Sequence, residues 1–391
     1  HDERIWCETM RNPERVFEVL RLNSLKPDYK HTRLCRLLYN PQIYEKYLDV
    51  SQFNLETVIN TIKDESYQPE LFNPDEVKAI DKAIVSIVRD ILFTIYSDKL
   101  QLYHRQHKEV LKVIKSNFKE VKWWIIGEIN LDYDKNLLIS KLKEKITDEK
   151  FIRLINKFIK AGYLKDFRYF HPYNKTPMEG VLSEIGLEIV LIDFDTFLKD
   201  QGTYVRYKNK FAVGLVAHKQ QVLDLAEKLT SFFPCSLQVV HYQDKVHFLG
   251  YQIVENTKLS LPKEMVTKFL SENHFAKNGK ATHRTQNLNN TDYEIITIYN
   301  KIFHRFYQYY KFCFDVKSKL SLAHHLFLQS FLKTLAGKYR TKVARLLYVR
   351  TETGDKKYFR LGVWGVTWVD ETGKPIFIEL FPKKKIIYQR I

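Results

Sequence analysis

Residues 204–214 read Tyr204-Val205-Arg206-Tyr207-Lys208-Asn209-Lys210-Phe211-Ala212-Val213-Gly214. Two short β-type segments flank the polar stretch Lys208-Asn209-Lys210, so the stretch predicts a hairpin. The turn offers an amide and an ammonium. Neither can replace a carboxylate as a ligand for a catalytic divalent ion.

Working outward, residues 11–62 read as helices, with Asn40-Pro41 as a break. Asn73-Pro74-Asp75-Glu76 has the cap, proline and acids of a helix start, and Ile80, Ile84, Ile87, Val88 and Ile91 continue it toward Tyr96. A strand is expected over Val121–Ile129, a helical stretch over about 135–161, and another over Leu182–Phe197. After the hairpin, Lys219–Phe233 reads as a helix and Leu237–Val240 and His247–Tyr251 as strands. The order α-β-α-α-ββ-α-β-β fits an α+β fold on an antiparallel sheet. Further on, helices are expected over about 290–313 and about 323–348. The tail 356–390 reads as β, with a hairpin turn at Asp370–Gly373.

The chain has 391 residues, enough for two or three domains, and 45% are hydrophobic. Lys and Arg number 63 against 46 Asp and Glu, a net charge of +17, which favours a polyanionic partner, nucleic acid before an acidic membrane. The 24 Tyr and 26 Phe serve mainly as core. Frequent Lys, Tyr, Phe, Asn and Ile point to an AT-rich genome such as an organelle's. Cys7, Cys35, Cys235 and Cys313 are scattered without a CxxC pair, which argues against zinc and against a disulfide framework. No apolar run approaches the ~18 residues of a membrane span. No secretory signal is visible; the chain starts at His1, so a preceding segment or transit peptide is left open.

Several stretches, in order, resemble group II intron-encoded reverse transcriptase/maturase proteins. Arg15-Val16-Phe17 and Arg36-Leu37-Leu38-Tyr39-Asn40-Pro41 look like the N-terminal extension. Asp81–Tyr96 looks like the helix after the fingers, and Glu128–Asp134 like the first palm strand. Thr176-Pro177-Met178-Glu179-Gly180-Val181-Leu182-Ser183 resembles a Thr-Pro-Gln-Gly-Gly-Val-Leu-Ser loop. Tyr204–Gly214 is similar to the palm hairpin Tyr-Val-Arg-Tyr-Ala-Asp-Asp-Phe, and Phe248-Leu249-Gly250-Tyr251 to a later strand. Tyr299–Tyr310 and Ser330–Lys338 look like the thumb and the maturase domain called X.

The resemblance implies a reverse-transcriptase-like palm with reduced fingers, a helical thumb and domain X, and a small C-terminal β segment. Its implied boundaries are a helical N-terminal extension (1–65), fingers and palm (66–255), thumb and domain X (256–350) and a β extension (351–391). It also implies a degenerate polymerase site, because the metal-binding carboxylates of the family align with Glu128, Asn209 and Lys210. An ammonium ~4 Å from a dication would cost about 8 kcal/mol at an effective dielectric of about 20. Too little chain separates Tyr67-Gln68-Pro69 from Asp81 for the nucleotide-closing hairpin of the fingers. Met178 and Glu179 alter the loop that grips primer and template.

Residues 281–391 hold 20 Lys and Arg against 8 Asp and Glu, twelve of the seventeen net charges. Leu332, Leu335, Ala336, Tyr339, Val343 and Leu347 recur at helical spacing and predict a core stripe. Lys333, Lys338, Arg340, Lys342 and Arg345 fall mostly off it. Periodicity gives a basic solvent-facing surface; the resemblance makes it a grip on intron RNA, against a plain solvated face. Tyr307, Tyr309 and Tyr310 with Lys311 could stack bases or be core. Lys383-Lys384-Lys385 contacts phosphates or is merely solvated. His31, His324 and His325 lack metal-ligand spacing, and no P-loop, GxGxxG or catalytic triad stands out. No cysteine follows residue 350, so the zinc-containing endonuclease of some relatives is not indicated.

The expected function is a maturase that binds group II intron RNA and promotes its folding and splicing without polymerase activity. It would need no cofactor of its own, the magnesium belonging to the RNA. Expected partners are the intron RNA and other ribonucleoprotein components, not a membrane or zinc. The expected place is an organelle, chloroplast ahead of mitochondrion, with bacterial cytoplasm as the alternative. Two other readings stay open: an unorthodox polymerase using Glu128, Asp132 or Asp134, and a general RNA-binding scaffold.

Overall fold

The computed structural model describes residues 12–72, 77–100, 106–130, 134–163, 181–370 and 372–391. Thr176–Gly180 and Asp132, singled out above, lie outside the described residues. The fold is mixed α+β and divides into two compact units, one built mainly before residue 240 and one from residue 241 onward.

The helices of the first part are α1 (Pro13–Ser24), α2 (Pro41–Tyr44), α3 (Leu55–Lys63), α4 (Ala79–Tyr96), α5 (His107–Asn117), α6 (Lys135–Lys145), α7 (Glu149–Lys160), α8 (Val181–Val190), α9 (Ile192–Gln201) and α10 (Lys219–Phe232). Asparagines cap two of these helices: Asn12 accepts from the Glu14 amide at 3.0 Å, and Asn40, at the break read from sequence, from that of Gln42 at 3.1 Å; the helix start read at Asn73–Glu76 lies outside the described residues. Helix α4 carries Ile84, Ile87, Val88, Ile91 and Ile95 at helical spacing, all fully buried. Strands β1 (Trp123–Ile129), β2 (Thr203–Tyr207), β3 (Lys210–Leu215) and β4 (Cys235–His241) form one sheet in the order β2-β3-β1-β4. Strand β3 pairs antiparallel with both β2 and β1.

Two helical stretches expected to be continuous are broken. The one over about 135–161 divides at Ile146–Asp148, where the chain bridges to His31. His31 donates its amide to the Lys145 carbonyl (2.8 Å) and its carbonyl accepts from Thr147 (2.9 Å). Asp148 then caps α7 at the Phe151 amide (3.2 Å) and takes the Cys35 amide with its other oxygen (2.8 Å). The second divides at Leu191, between α8 and α9.

The second unit begins with a three-stranded meander of β5 (Val246–Phe248), β6 (Tyr251–Val254) and β7 (Lys258–Ser260). It continues through α11 (Lys263–Glu272), the small pair β8 (Ala276–Lys277) and β9 (Lys280–Ala281), and the long helices α12 (Asp292–Tyr310) and α13 (Val316–Lys338). Strands β10 (Phe359–Arg360), β11 (Val363–Val369) and β12 (Pro375–Glu379) close it as a second meander. Its core is aromatic: Phe269 stacks on Phe306 with centroids 3.9 Å apart, and Phe303 lies 4.6 Å from Phe327.

Helix α13 starts and stops earlier than the periodicity predicts. Arg340 takes a left-handed φ of 48°, the Thr341 amide returns to the Ala336 carbonyl (2.9 Å) and the Arg340 amide to that of Gly337 (3.2 Å). That is a Schellman stop with arginine where glycine is usual. Beyond it Val343–Tyr348 forms a 3₁₀ turn that buries Leu346 rather than Leu347, while Tyr339 is 44% exposed.

Candidate nucleic-acid interface and the site at the hairpin turn

In the first unit the β2–β3 turn lies beside the end of β1. Glu128 sits opposite Lys210 in the register, and the two side chains form an ion pair at 3.5 Å. Asn209 is buried; its Nδ2 donates to Glu128 Oε1 and to the Ile129 carbonyl, both at 3.3 Å. The Ile129 amide returns a bond to the Asn209 carbonyl at 2.8 Å. The structure thus brings Glu128, Asn209 and Lys210 together. Gly127 permits this approach, since a Cβ there would lie 2.2 Å from the Phe211 ring.

An interior ion network fixes the hairpin from behind, and sequence reasoning missed it. Arg206 is 1% exposed and forks onto Glu188 of α8 (2.9 and 2.7 Å) and Asp195 of α9 (2.8 and 2.6 Å). It also donates to the Lys208 carbonyl at 2.7 Å, and Tyr204 donates to Asp195 at 2.6 Å. Burial alone would lower the Arg206 pKa, but Asp195 and Glu188 outweigh it and hold the guanidinium well above its ordinary value. Burial, followed by the Asp195 charge, pushes the Tyr204 phenol well up. The only sequence hint was acids inside the apolar stretch Leu187–Phe197.

The donor set does not suit a divalent ion. Among the described residues, the Glu128 carboxylate that meets the turn is already served by an amide and an ammonium, and a dication there would face Lys210 directly. Asp134 caps α6 by accepting from the Asn136 amide at 2.9 Å. Among the described residues no three His, Cys, Asp or Glu side chains gather into a metal-sized cluster.

In the second unit the sequence-derived binding residues separate into three groups. Tyr309 and Tyr310 are buried, which puts them in the core, the second of the two readings their sequence left open, and takes them out of the set of base-stacking candidates. They lie on the inward face of α12 with Phe303 and Phe306; Tyr309 donates to the Leu249 carbonyl at 2.7 Å, and its carbonyl accepts from Tyr251. Lys311, Lys333 and Lys338 spend their ammonium groups inside the unit, on Gln308 (2.6 Å), the Ala281 carbonyl (2.7 Å) and the Asn290 carbonyl with Asp292 (2.7 and 3.0 Å). Arg340, Lys342, Arg345 and Lys383–Lys385 are exposed, and their side chains make no ion pair among the described residues.

Asp292 organises this surface and was not singled out from sequence. It is buried in the first turn of α12 and accepts from Lys338 (3.0 Å), Lys357 (2.9 Å), Tyr339 and Tyr358 (2.7 Å each). Burial would raise its pKa, but these four partners bring it down to about 2. The bonds tie the end of α13 to the chain entering β10. The segment between them carries Arg340, Lys342, Arg345, Arg350 and the 79% exposed Tyr348 outward. The tail is anchored likewise: Asn300 holds the Glu379 carbonyl (2.9 Å) and the Phe381 amide (2.7 Å), Tyr307 donates to the Ile387 carbonyl (3.0 Å), and Lys383–Lys385 stand out between these anchors.

A family described as type II intron maturase matches residues 255–356, which include α12, α13 and the exposed basic segment. The group II intron-encoded protein LtrA of Lactococcus lactis subsp. cremoris is 24% identical over 500 aligned positions, covering 95% of this chain and 82% of the relative. The uncharacterized 91 kDa protein in cob intron of Schizosaccharomyces pombe is 33% identical over 141 positions, 34% of this chain and 18% of the relative. The putative COX1/OXI3 intron 1 protein of Saccharomyces cerevisiae is 27% identical over 140 positions, 33% and 16% respectively.

Proposed function

We propose that this chain, a group II intron maturase by the family its sequence matches, acts in intron splicing by holding intron RNA and does not polymerise nucleotides. The observation that carries the second half is the satisfied site at the turn. Glu128 already has the Asn209 amide and the Lys210 ammonium as partners, so the positive charge that a polymerase borrows from metal ions is built in as a lysine. The sheet bearing Glu128 and the turn is then a reverse-transcriptase-like palm that has kept its shape.

RNA binding falls to the anchored basic segment Arg340–Arg350 and to Lys383–Lys385, through phosphate contacts. Exposed Tyr348 is placed to stack on an unpaired base. Magnesium enters with the RNA. The compartment is an organelle or a bacterial cytoplasm; among the described residues no helix is long and apolar enough to cross a membrane.

The test is to purify the full chain from its host and sequence the bound RNA, then to assay primer extension with magnesium on a poly(rA) template. Enrichment of intron RNA without extension is the expected result. Clear extension refutes the non-polymerase reading, and enrichment of non-intron RNA alone refutes the maturase role.

A further inference from the structure

Two buried arginines in this chain are treated differently. Arg206 lies between two carboxylates. Arg284, 6% exposed in the second unit, has no carboxylate partner among the described residues. Its guanidinium lies over the rings of Phe275 and Tyr299, 5.4 and 5.5 Å from their centroids. Rings attract a cation without neutralising it. Burial lowers the Arg284 pKa, but an arginine keeps its proton, so the charge stays. Its Nε and Nη1 are buried with no hydrogen-bond partner. Nη2, also without a bond among the described residues, is the edge of the group that reaches solvent. A buried cation without a counter-ion is unfavourable. Because the charge is shared over the planar group, an anion at Nη2 would compensate all of it.

The chain leading to Arg284 repeats the imbalance. Strands β8 and β9 are joined by Asn278 and Gly279, both at positive φ (50° and 73°), the pattern of a tight hairpin turn. Ala276 and Ala281 are buried, so their neighbours Lys277 and Lys280 stand on the outward face. These lysines are directly opposite in the register, and neither makes an ion pair among the described residues. Like charges facing across a pair of strands destabilise it. The hairpin is nevertheless held firmly. Lys333 of α13 donates to the Ala281 carbonyl (2.7 Å), and the Arg284 amide donates to Thr334 Oγ1 (2.9 Å). We propose that Lys277, Lys280 and Arg284 form a second phosphate-binding surface for the RNA backbone, with the Arg284 Nη2 edge seating one phosphate and the hairpin lysines holding its neighbours. The inference rests on the RNA-binding function proposed above and adds a surface apart from Arg340–Arg350 and Lys383–Lys385. An acidic membrane is the poorer match, since the hairpin tip offers only Asn278 and Gly279 and no apolar side chain to insert.

The experiment measures binding of the full chain to a labelled oligo-rU by fluorescence anisotropy over a range of salt, together with melting temperatures of the free proteins. Arg284→Met removes the uncompensated charge and keeps an apolar chain against the two rings. Its melting temperature should match or exceed that of wild type, while affinity falls about tenfold, the yield of one charge-assisted hydrogen bond. The salt slope should flatten by about 1. Lys277→Gln with Lys280→Gln, on the exposed hairpin, should leave melting unchanged and flatten the slope by about 2. Wild-type affinity and slope in both variants overturn the surface while leaving the maturase reading intact. A lower melting temperature in Arg284→Met, with the lysine variant binding as wild type does, assigns the guanidinium to the fold and overturns the proposal. If Arg284→Met does not fold, the lysine variant alone decides. Binding to phosphatidylserine vesicles that the lysine variant loses, with RNA affinity unchanged, would assign the hairpin to a membrane and overturn it. Failure of the wild type to bind RNA overturns both readings.

Discussion

The β2–β3 turn and the segment after α13 are both rich in cations, yet they treat them oppositely. At the turn, Lys210 is paired with Glu128 and Arg206 is interred between two carboxylates. After α13, among the described residues, only the anchors form ion pairs. Asp292 gathers Lys338 and Lys357 below the surface, and Arg340, Lys342 and Arg345 are left in solvent. A cation that has a partner inside the protein contributes to the fold. One that is exposed and held in place by a rigid neighbour remains available to a phosphate. The same residue types thus build a closed scaffold in one unit and an open basic surface in the other.

The comparison breaks most sharply at Arg206. Arg206→Met leaves Glu188 and Asp195 buried without a counter-charge, and should cost about 3–5 kcal/mol of stability by denaturant titration. A variant within 1 kcal/mol of wild type would mean that the network does not hold the hairpin.

His31 offers the next largest effect, through pH. Burial first, then the nearby Lys145 charge, lowers its pKa from 6.5 to about 4. The folded state therefore binds this proton less readily than the unfolded chain. Stability should be complete above about pH 6.5 and decline by about 1.4 kcal/mol per pH unit as pH falls toward about 4, then level off, a total of about 3 kcal/mol. His31→Asn should flatten that part of the pH–stability curve; an unchanged slope would refute the assignment.

Asp292 tests the anchored side. Its carboxyl is lowered from 3.8 to about 2, so its contribution is present above about pH 4 and is lost as pH falls through about 2. Asp292→Asn should cost about 2 kcal/mol at neutral pH and only a small fraction of that at pH 2. RNA affinity should fall as the basic segment loosens, and unchanged affinity would disconnect the anchor from binding.

The smallest effect on stability is expected where the effect on RNA is largest. Replacing Arg340, Lys342 and Arg345 together by Gln should change stability by less than about 0.5 kcal/mol. The slope of log affinity against log salt should flatten by about 2–3. An unchanged slope would return this surface to a merely solvated face.

Much of the fold was legible because its signals are local. The break at Asn40-Pro41, the isoleucine stripe of α4 and the hairpin at 203–215 each depend on neighbours a few residues apart. The helix limits were less legible. Arg340 in a left-handed conformation stops α13, and nothing in the sequence marks that position as a glycine would. The break between α6 and α7 depends on His31, a residue more than a hundred positions away. Tyr309 and Tyr310 could not be sorted between core and surface until α11, α13 and β6 were placed around α12.

By itself, the sequence determined that the turn carries no carboxylate pair and that basic charge gathers after residue 281, since residue type alone decides both. Only the tertiary structure decided which charges are spent. Whether a lysine meets Asp292, a backbone carbonyl or water depends on groups brought together from distant parts of the chain, and net charge does not record a partner.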